Sequence, residues 1–78
     1  GLWCINIGYG REEMADAIAT QANRIPYFST FGHHTTPPAA ALASKLAELA
    51  PGNLNHVFYG CGGSVANDSA VRIAHFYW

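Results

Sequence analysis

Apolar positions along this chain switch period several times. Leu2 to Ile7 is a continuous run holding Trp3 and two isoleucines, closed by Gly1 on one side and Gly8 on the other. A glycine-bounded run of this length and make-up predicts a short strand. Gly8-Tyr9-Gly10 predicts a turn, with Gly10 placed where a helix begins. From Arg11 to about Asn23, the residues Met14, Ala17, Ile18, Ala22 and Ile25 recur at roughly helical spacing. Glu12, Glu13 and Asp16 fall in the first turns, where acidic side chains complement the helix dipole. Pro26 ends or redirects that helix.

The stretch Tyr27 to Thr36 has no period. It is aromatic and hydroxyl-rich, with Gly32 inside it. A loop of this kind is hard to bury in a small domain and predicts contact with a ligand or another subunit. Thr36 is placed to cap a second helix, with Pro37 at its first position, where a missing N–H costs least. Leu42, Leu46 and Leu49 form its stripe, alanines fill the rest, and Pro51-Gly52 stops it. Leu54 to Tyr59 predicts a second strand. Its adjacent Val57, Phe58 and Tyr59 suit a strand covered on both faces. Gly60-Cys61-Gly62-Gly63-Ser64 follows, and then a third helix with Ala66, Ala70, Ile73, Ala74 and Tyr77 on one face. The chain shows no internal repeat and no low-complexity segment. The alternation predicts an α/β fold, yet two strands so far apart do not enclose a sheet interior.

Composition sharpens that expectation. The chain has 78 residues, is 50% hydrophobic and only 12% charged, and carries ten aromatic residues among its Trp, Tyr and Phe. Domains this short bury only about 60% of their unfolded surface, and many need a metal, disulfides or a partner. The opening without methionine and the ending His75-Phe76-Tyr77-Trp78 lead us to expect a piece of a larger α/β protein. A formal net charge of −1 gives no electrostatic reason for nucleic acid or an acidic membrane. The longest apolar run is far below the ~20 residues that span a bilayer. Cys4 and Cys61 are too few for a disulfide scaffold and lack zinc-site spacing, so reduced thiols in a cytoplasmic enzyme are expected.

The junction of strand, Gly60–Ser64 and helix carries the clearest chemistry. Glycines let a backbone turn tightly and approach a ligand closely. The unpaired N–H groups opening the next helix, with the dipole's positive end behind them, favour a phosphate. The Ser64 hydroxyl adds a donor. Read blandly, the same residues are a tight turn in which Ser64 caps the helix. Other motifs fail at named positions. A dinucleotide fingerprint starts at Gly60 and Gly62 but meets Val65 where its third glycine belongs. A Walker loop needs a lysine, and the chain's single one is Lys45. Gly62-Gly63-Ser64-Val65-Ala66 approaches a nucleophile elbow, which keeps a serine hydrolase with Ser64 as nucleophile as an alternative. A non-catalytic module binding a partner through Tyr27–Phe31 is a further one. His33 and His34, adjacent in a loop, are poorly placed to share a metal. His56 and His75 read as surface or packing residues, Lys45 as a solvated helix lysine, and Cys61 as a packing residue, with a reactive thiol at a helix N-terminus as the alternative.

The whole pattern resembles class III, pyridoxal-phosphate-dependent aminotransferases of the ω-transaminase kind. The resemblance rests on Gly1 to Arg11, on Pro26-Tyr27-Phe28-Ser29-Thr30-Phe31 with Thr36-Pro37, and on Val57-Phe58-Tyr59 through Gly63-Ser64-Val65-Ala66-Asn67-Asp68-Ser69-Ala70. Arg72 and Tyr77-Trp78 continue it. These blocks stand in the family's order, with similar gaps, but match only an early part of such an enzyme. The resemblance implies a fold-type I transferase that is normally a homodimer with active sites at the subunit interface. It implies residues 1–36 as an N-terminal segment with a substrate-pocket loop, and 37–78 as the start of the large cofactor-binding domain. It further implies that Gly62, Gly63 and Ser64 bind the phosphate of pyridoxal 5'-phosphate, and that Trp3 and Phe31 line the substrate pocket. An amine or amino acid would donate its amino group, and a keto acid such as pyruvate would accept it. No catalytic residue is assigned within this stretch.

The sequence also departs from the family's usual Ser-Gly-Ser-Glu-Ala-Asn-Asp. Gly62 removes one hydroxyl donor but leaves the backbone N–H groups. Val65 removes a carboxylate near the start of the helix, and Cys61 replaces an asparagine. These changes bear on substrate inference more than on cofactor class.

Overall fold

A computed structural model describes residues 2–78; Gly1, expected to bound the first strand and to open the family signature, lies outside them. The chain divides into two units, one ending at Thr36 and the other spanning Pro37–Trp78.

In the first unit, α1 runs Glu12–Arg24. Glu12 and Glu13 occupy its first turn and Arg24 its last, so both ends carry charges that match the dipole. The Ile25 N–H closes the helix on the Gln21 carbonyl at 2.9 Å, and Gln21 Nε2 donates to the Ile25 carbonyl at 3.0 Å. Leu2–Ile7 is not the expected strand. It is folded into turns: the Gly8 N–H reaches the Ile5 carbonyl at 3.2 Å, and Trp3 has φ +62°. A lone extended segment leaves its N–H and C=O groups without a ladder, and local turn bonds are what remain.

In the second unit, α2 spans Pro37–Leu49 and α3 spans Gly63–Tyr77. Gly52 takes the positive φ, +62°, that turns the chain after α2. The expected strand Leu54–Tyr59 is likewise unpaired, and no strand occurs among the described residues. This segment instead returns along α2. An open groove of about 470 Å³ is lined by Leu46, Ala47 and Leu49 of α2, by Ala50 just after it, and by Leu54, His56 and Val57 of the return. At the other end of α2, Tyr59 Oη donates to the Ala39 carbonyl at 2.6 Å. The half-buried positions of α2 are Ala39, Ala43 and Ala47, with Ala50 just after the helix, so the small-residue face is the one covered. The leucine stripe read from the sequence, Leu42, Leu46 and Leu49, stays exposed.

No side chain among the described residues is buried. Within the second unit, α2 and α3 do not pack on each other. The helices form because their local signals are strong, while their apolar faces find no cover.

Candidate functional site

The glycine turn delivers the chain to the first residue of α3. Gly62 is the N-cap, with extended backbone (φ 177°, ψ 169°), and no side chain caps the helix. The first intrahelical bond runs from the Ala66 N–H to the Gly62 carbonyl at 3.0 Å. The N–H groups of Gly63, Ser64 and Val65 therefore precede the helical ladder and have no acceptor within it. Ser64 stands inside the helix rather than at its cap, so the bland reading of Ser64 as the capping residue does not hold. Nor does Ser64 carry the strained backbone of a nucleophile elbow, since Trp3 is the sole non-glycine residue with positive φ among the described residues.

The glycines of this turn do different things. A Cβ on Gly62 or Gly63 would meet nothing within 4 Å, so the space beside the exposed amides is open. A Cβ on Gly60 would lie 3.3 Å from Val65 Cγ1 and 3.6 Å from the Ala66 nitrogen. Gly60 is therefore where the incoming backbone presses on the first turn of α3. The constraint at 60 is steric and local, a side-chain contact that Val65 would relieve by a small shift.

A phosphate suits this arrangement. Three outward N–H groups, a 15-residue helix behind them and a hydroxyl at Ser64 supply donors and a positive end. No acidic residue occupies the first turn of α3 to repel an anion. Asp68 lies further along and is paired with Arg72 (Nε to Oδ2, 3.0 Å). His75 stands in the last turn, where a cation complements the dipole. Cys61 is exposed and unbonded, not packed as expected.

In the first unit, the two residues expected at a substrate pocket are the most open kind. Trp3 is 96% exposed and Phe31 is 87% exposed. Trp3 combines that exposure with left-handed backbone, which a bulky side chain adopts only at a cost. The loop around Phe31 is more ordered than its aperiodic sequence indicates. The Phe31 N–H donates to Ser29 Oγ at 3.1 Å, and His34 Nδ1 sits 3.2 Å from the Phe31 carbonyl. His34 also meets Phe28 edge-on, with ring centroids 5.6 Å apart. His34 thus shapes the loop. No group of three or more metal-ligating side chains occurs among the described residues.

Arg11 is a residue whose part sequence reasoning did not assign. Its guanidinium pairs with Glu13 and donates to the Ile7 carbonyl at 3.4 Å, bracing the Gly8–Gly10 turn against α1. That contact holds the Glu13 carboxyl below its ordinary range, helped by the Glu13 backbone N–H. Beside it, Ile7, Met14, Ala15 and Ile18 line an open apolar groove of about 470 Å³. Lys45 pairs with Glu48 at 3.1 Å, as a solvated helix lysine does. No helix among the described residues is long and apolar enough to cross a membrane.

Comparison with known proteins gives this geometry its context. The chain is 44% identical over 78 residues to a putrescine–pyruvate aminotransferase of Pseudomonas aeruginosa, covering 100% of this chain and 17% of that protein. It is 44% identical over 77 residues to a diaminobutyrate–2-oxoglutarate transaminase of Halomonas elongata, covering 99% of this chain and 16% of the relative. It is 40% identical over 80 residues to an omega-amino acid–pyruvate aminotransferase of Pseudomonas putida, covering 100% and 17%. The chain thus spans about a sixth of the length of the curated relatives it matches. The family model Aminotransferase class-III matches residues 1–78 without remainder, and the chain belongs to that family.

Proposed function

We propose that this chain is part of a pyridoxal-phosphate-dependent aminotransferase that moves an amino group from an amine or amino acid to a keto acid such as pyruvate. The family membership supports the activity class, and the names of two of the relatives above pair an amine donor with pyruvate. The observation that carries the site is the uncapped start of α3, with open space at Gly62 and Gly63. In this reading the N–H groups of Gly63, Ser64 and Val65 and the Ser64 hydroxyl hold the cofactor phosphate, while Gly62 sets the backbone that aims them. When bound, the cofactor acts as the electron sink of the reaction; the protein binds and orients it. Trp3 and Phe31 line the donor pocket, and their exposure supports a surface completed by other parts of the protein.

The same reading places residues up to 36 in an N-terminal segment and 37–78 at the start of a large α/β domain of fold-type I. The uncovered leucine face of α2 and the unpaired Leu54–Tyr59 segment support added layers and strands there. A homodimer with shared active sites accounts for the aromatic loop. The two free cysteines support a reducing, cytoplasmic setting.

The test is cofactor reconstitution of the parent enzyme, followed by absorbance and by titration with pyridoxal 5'-phosphate and with pyridoxal. Ser64→Ala removes one hydrogen bond to a charged group, worth about 1.5–3 kcal/mol, so phosphate-ester affinity should fall at least tenfold. Affinity for pyridoxal should not change. A protein that takes up no cofactor, or one whose preference for the phosphate ester ignores Ser64, sinks the assignment.

A further inference from the structure

We infer that Tyr59 is a positioning residue for cofactor phosphate binding: its hydroxyl, fixed to the first turn of α2, sets where the amides of α3 point. The inference rests on the cofactor reading above. Tyr59 Oη donates to the Ala39 carbonyl at 2.6 Å, a bond that spans 20 residues. Every other side-chain hydrogen bond described above joins residues no more than four apart.

Its place in the chain gives that bond its consequence. The next residue is Gly60, whose α-carbon is held so close to α3 that a Cβ would meet Val65 Cγ1 at 3.3 Å and the Ala66 nitrogen at 3.6 Å. Ala66 is the residue whose N–H makes the first bond of the helix, to Gly62. A short path of close approaches therefore runs from the Ala39 carbonyl to Tyr59, to Gly60, to the Val65–Ala66 turn. The N–H groups proposed to hold phosphate belong to Gly63, Ser64 and Val65, in that same turn. Since α2 and α3 do not pack on each other, the Tyr59 bond is a direct tie from α2 to the segment that aims the amides. The alanine face of α2 supports this, since small side chains allow the return segment to come close enough for the hydroxyl to reach a backbone carbonyl.

A hydrogen-bonded phosphate is sensitive to aim, because amide donors weaken steeply as they turn off line. Tyr59→Phe keeps the ring and deletes the tie. In the reconstituted parent enzyme, we expect Tyr59→Phe to weaken pyridoxal 5'-phosphate binding about fivefold, the scale of one ordinary hydrogen bond. Pyridoxal, which lacks the phosphate, should bind as before, and the ³¹P resonance of the bound cofactor should shift. Replacing Tyr59 with 4-aminophenylalanine restores a donor and should recover both readouts, which separates aim from general loss of packing. Equal weakening of both ligands, or an unchanged ratio and ³¹P shift, overturns the positioning role while leaving the cofactor assignment standing. Absence of pyridoxal 5'-phosphate binding by the unaltered enzyme overturns both.

Discussion

Released as a separate 78-residue polypeptide, this chain should not unfold cooperatively, and the structure sets the scale of the effect. Every large hydrophobic side chain among the described residues except Val57 is exposed. Full burial of such a side chain contributes about 1.5–3 kcal/mol, so roughly twenty of them leave tens of kcal/mol of hydrophobic stabilisation unrealised. Net stabilities are only about 5–15 kcal/mol, so a shortfall of that size decides the outcome. The helices, of 13, 13 and 15 residues, fall in the range where isolated helices are marginal in water. Far-ultraviolet circular dichroism of the polypeptide should show partial helix that fades gradually with urea. Calorimetry should show no peak, whereas a cooperative domain of this length absorbs roughly 55 kcal/mol at its midpoint. A sigmoidal urea transition with a slope above about 1 kcal/mol/M, or such a calorimetric peak, refutes the reasoning. That result would favour a self-standing interaction module.

Other expectations concern the parent enzyme. Glu13 has a folded-state pKa below its ordinary 4.5, so the Arg11–Glu13 contact helps hold the Gly8–Gly10 turn above that value and is lost as pH falls through the lowered one. A carbon-13 titration of the Glu13 carboxyl should show a lowered midpoint that Arg11→Ala moves upward. Gly60→Ala should cost under about 1 kcal/mol, because Val65 is stiff at χ1 but has room to shift. Val65→Ala in that background should restore stability by thermal melt, and additive effects would contradict the 3.3 Å approach. Trp3→Ala should change the ratio of kcat/KM between amine donors while cofactor retention stays near normal; loss of cofactor with unchanged selectivity would speak against a pocket role.

The helices were legible because their signals are local. The acidic start of α1, Pro37 opening α2 and Pro51-Gly52 closing it act over a few residues, and each helix lies where these signals place it. The strands were not, because a strand is stabilised by a neighbour. Leu2–Ile7 and Leu54–Tyr59 have the composition of strands but no partner, and the first of them folds into turns around Trp3. The covered face of α2 was not legible for a related reason. Leucines mark where apolar surface must finally be covered, whereas alanines mark where this chain's own backbone comes closest. The donor set at Gly63 and Ser64 could be read from the glycines, but the Tyr59–Ala39 tie could not, since nothing in the sequence links positions 20 apart.

The proposed division between phosphate and substrate explains why one is easier to infer than the other. A cradle built from backbone N–H groups depends on where a helix starts, and that is set by Gly62, Gly63 and the approach at Gly60. Side chains around it can then change at little cost: a cysteine at 61 and a valine at 65 leave the three amides in place. Selection among amines has no such backbone shortcut. In the proposed reading it rests on the shapes of side chains such as Trp3 and Phe31, both exposed here, and on whatever faces them across the pocket. On the substrate side the relatives' names are in keeping with this proposal, for chains about equally similar to this one carry names with different donors and different keto acids. On this proposal, cofactor chemistry is written in the turn, while donor choice is written in the aromatic surface and its partners.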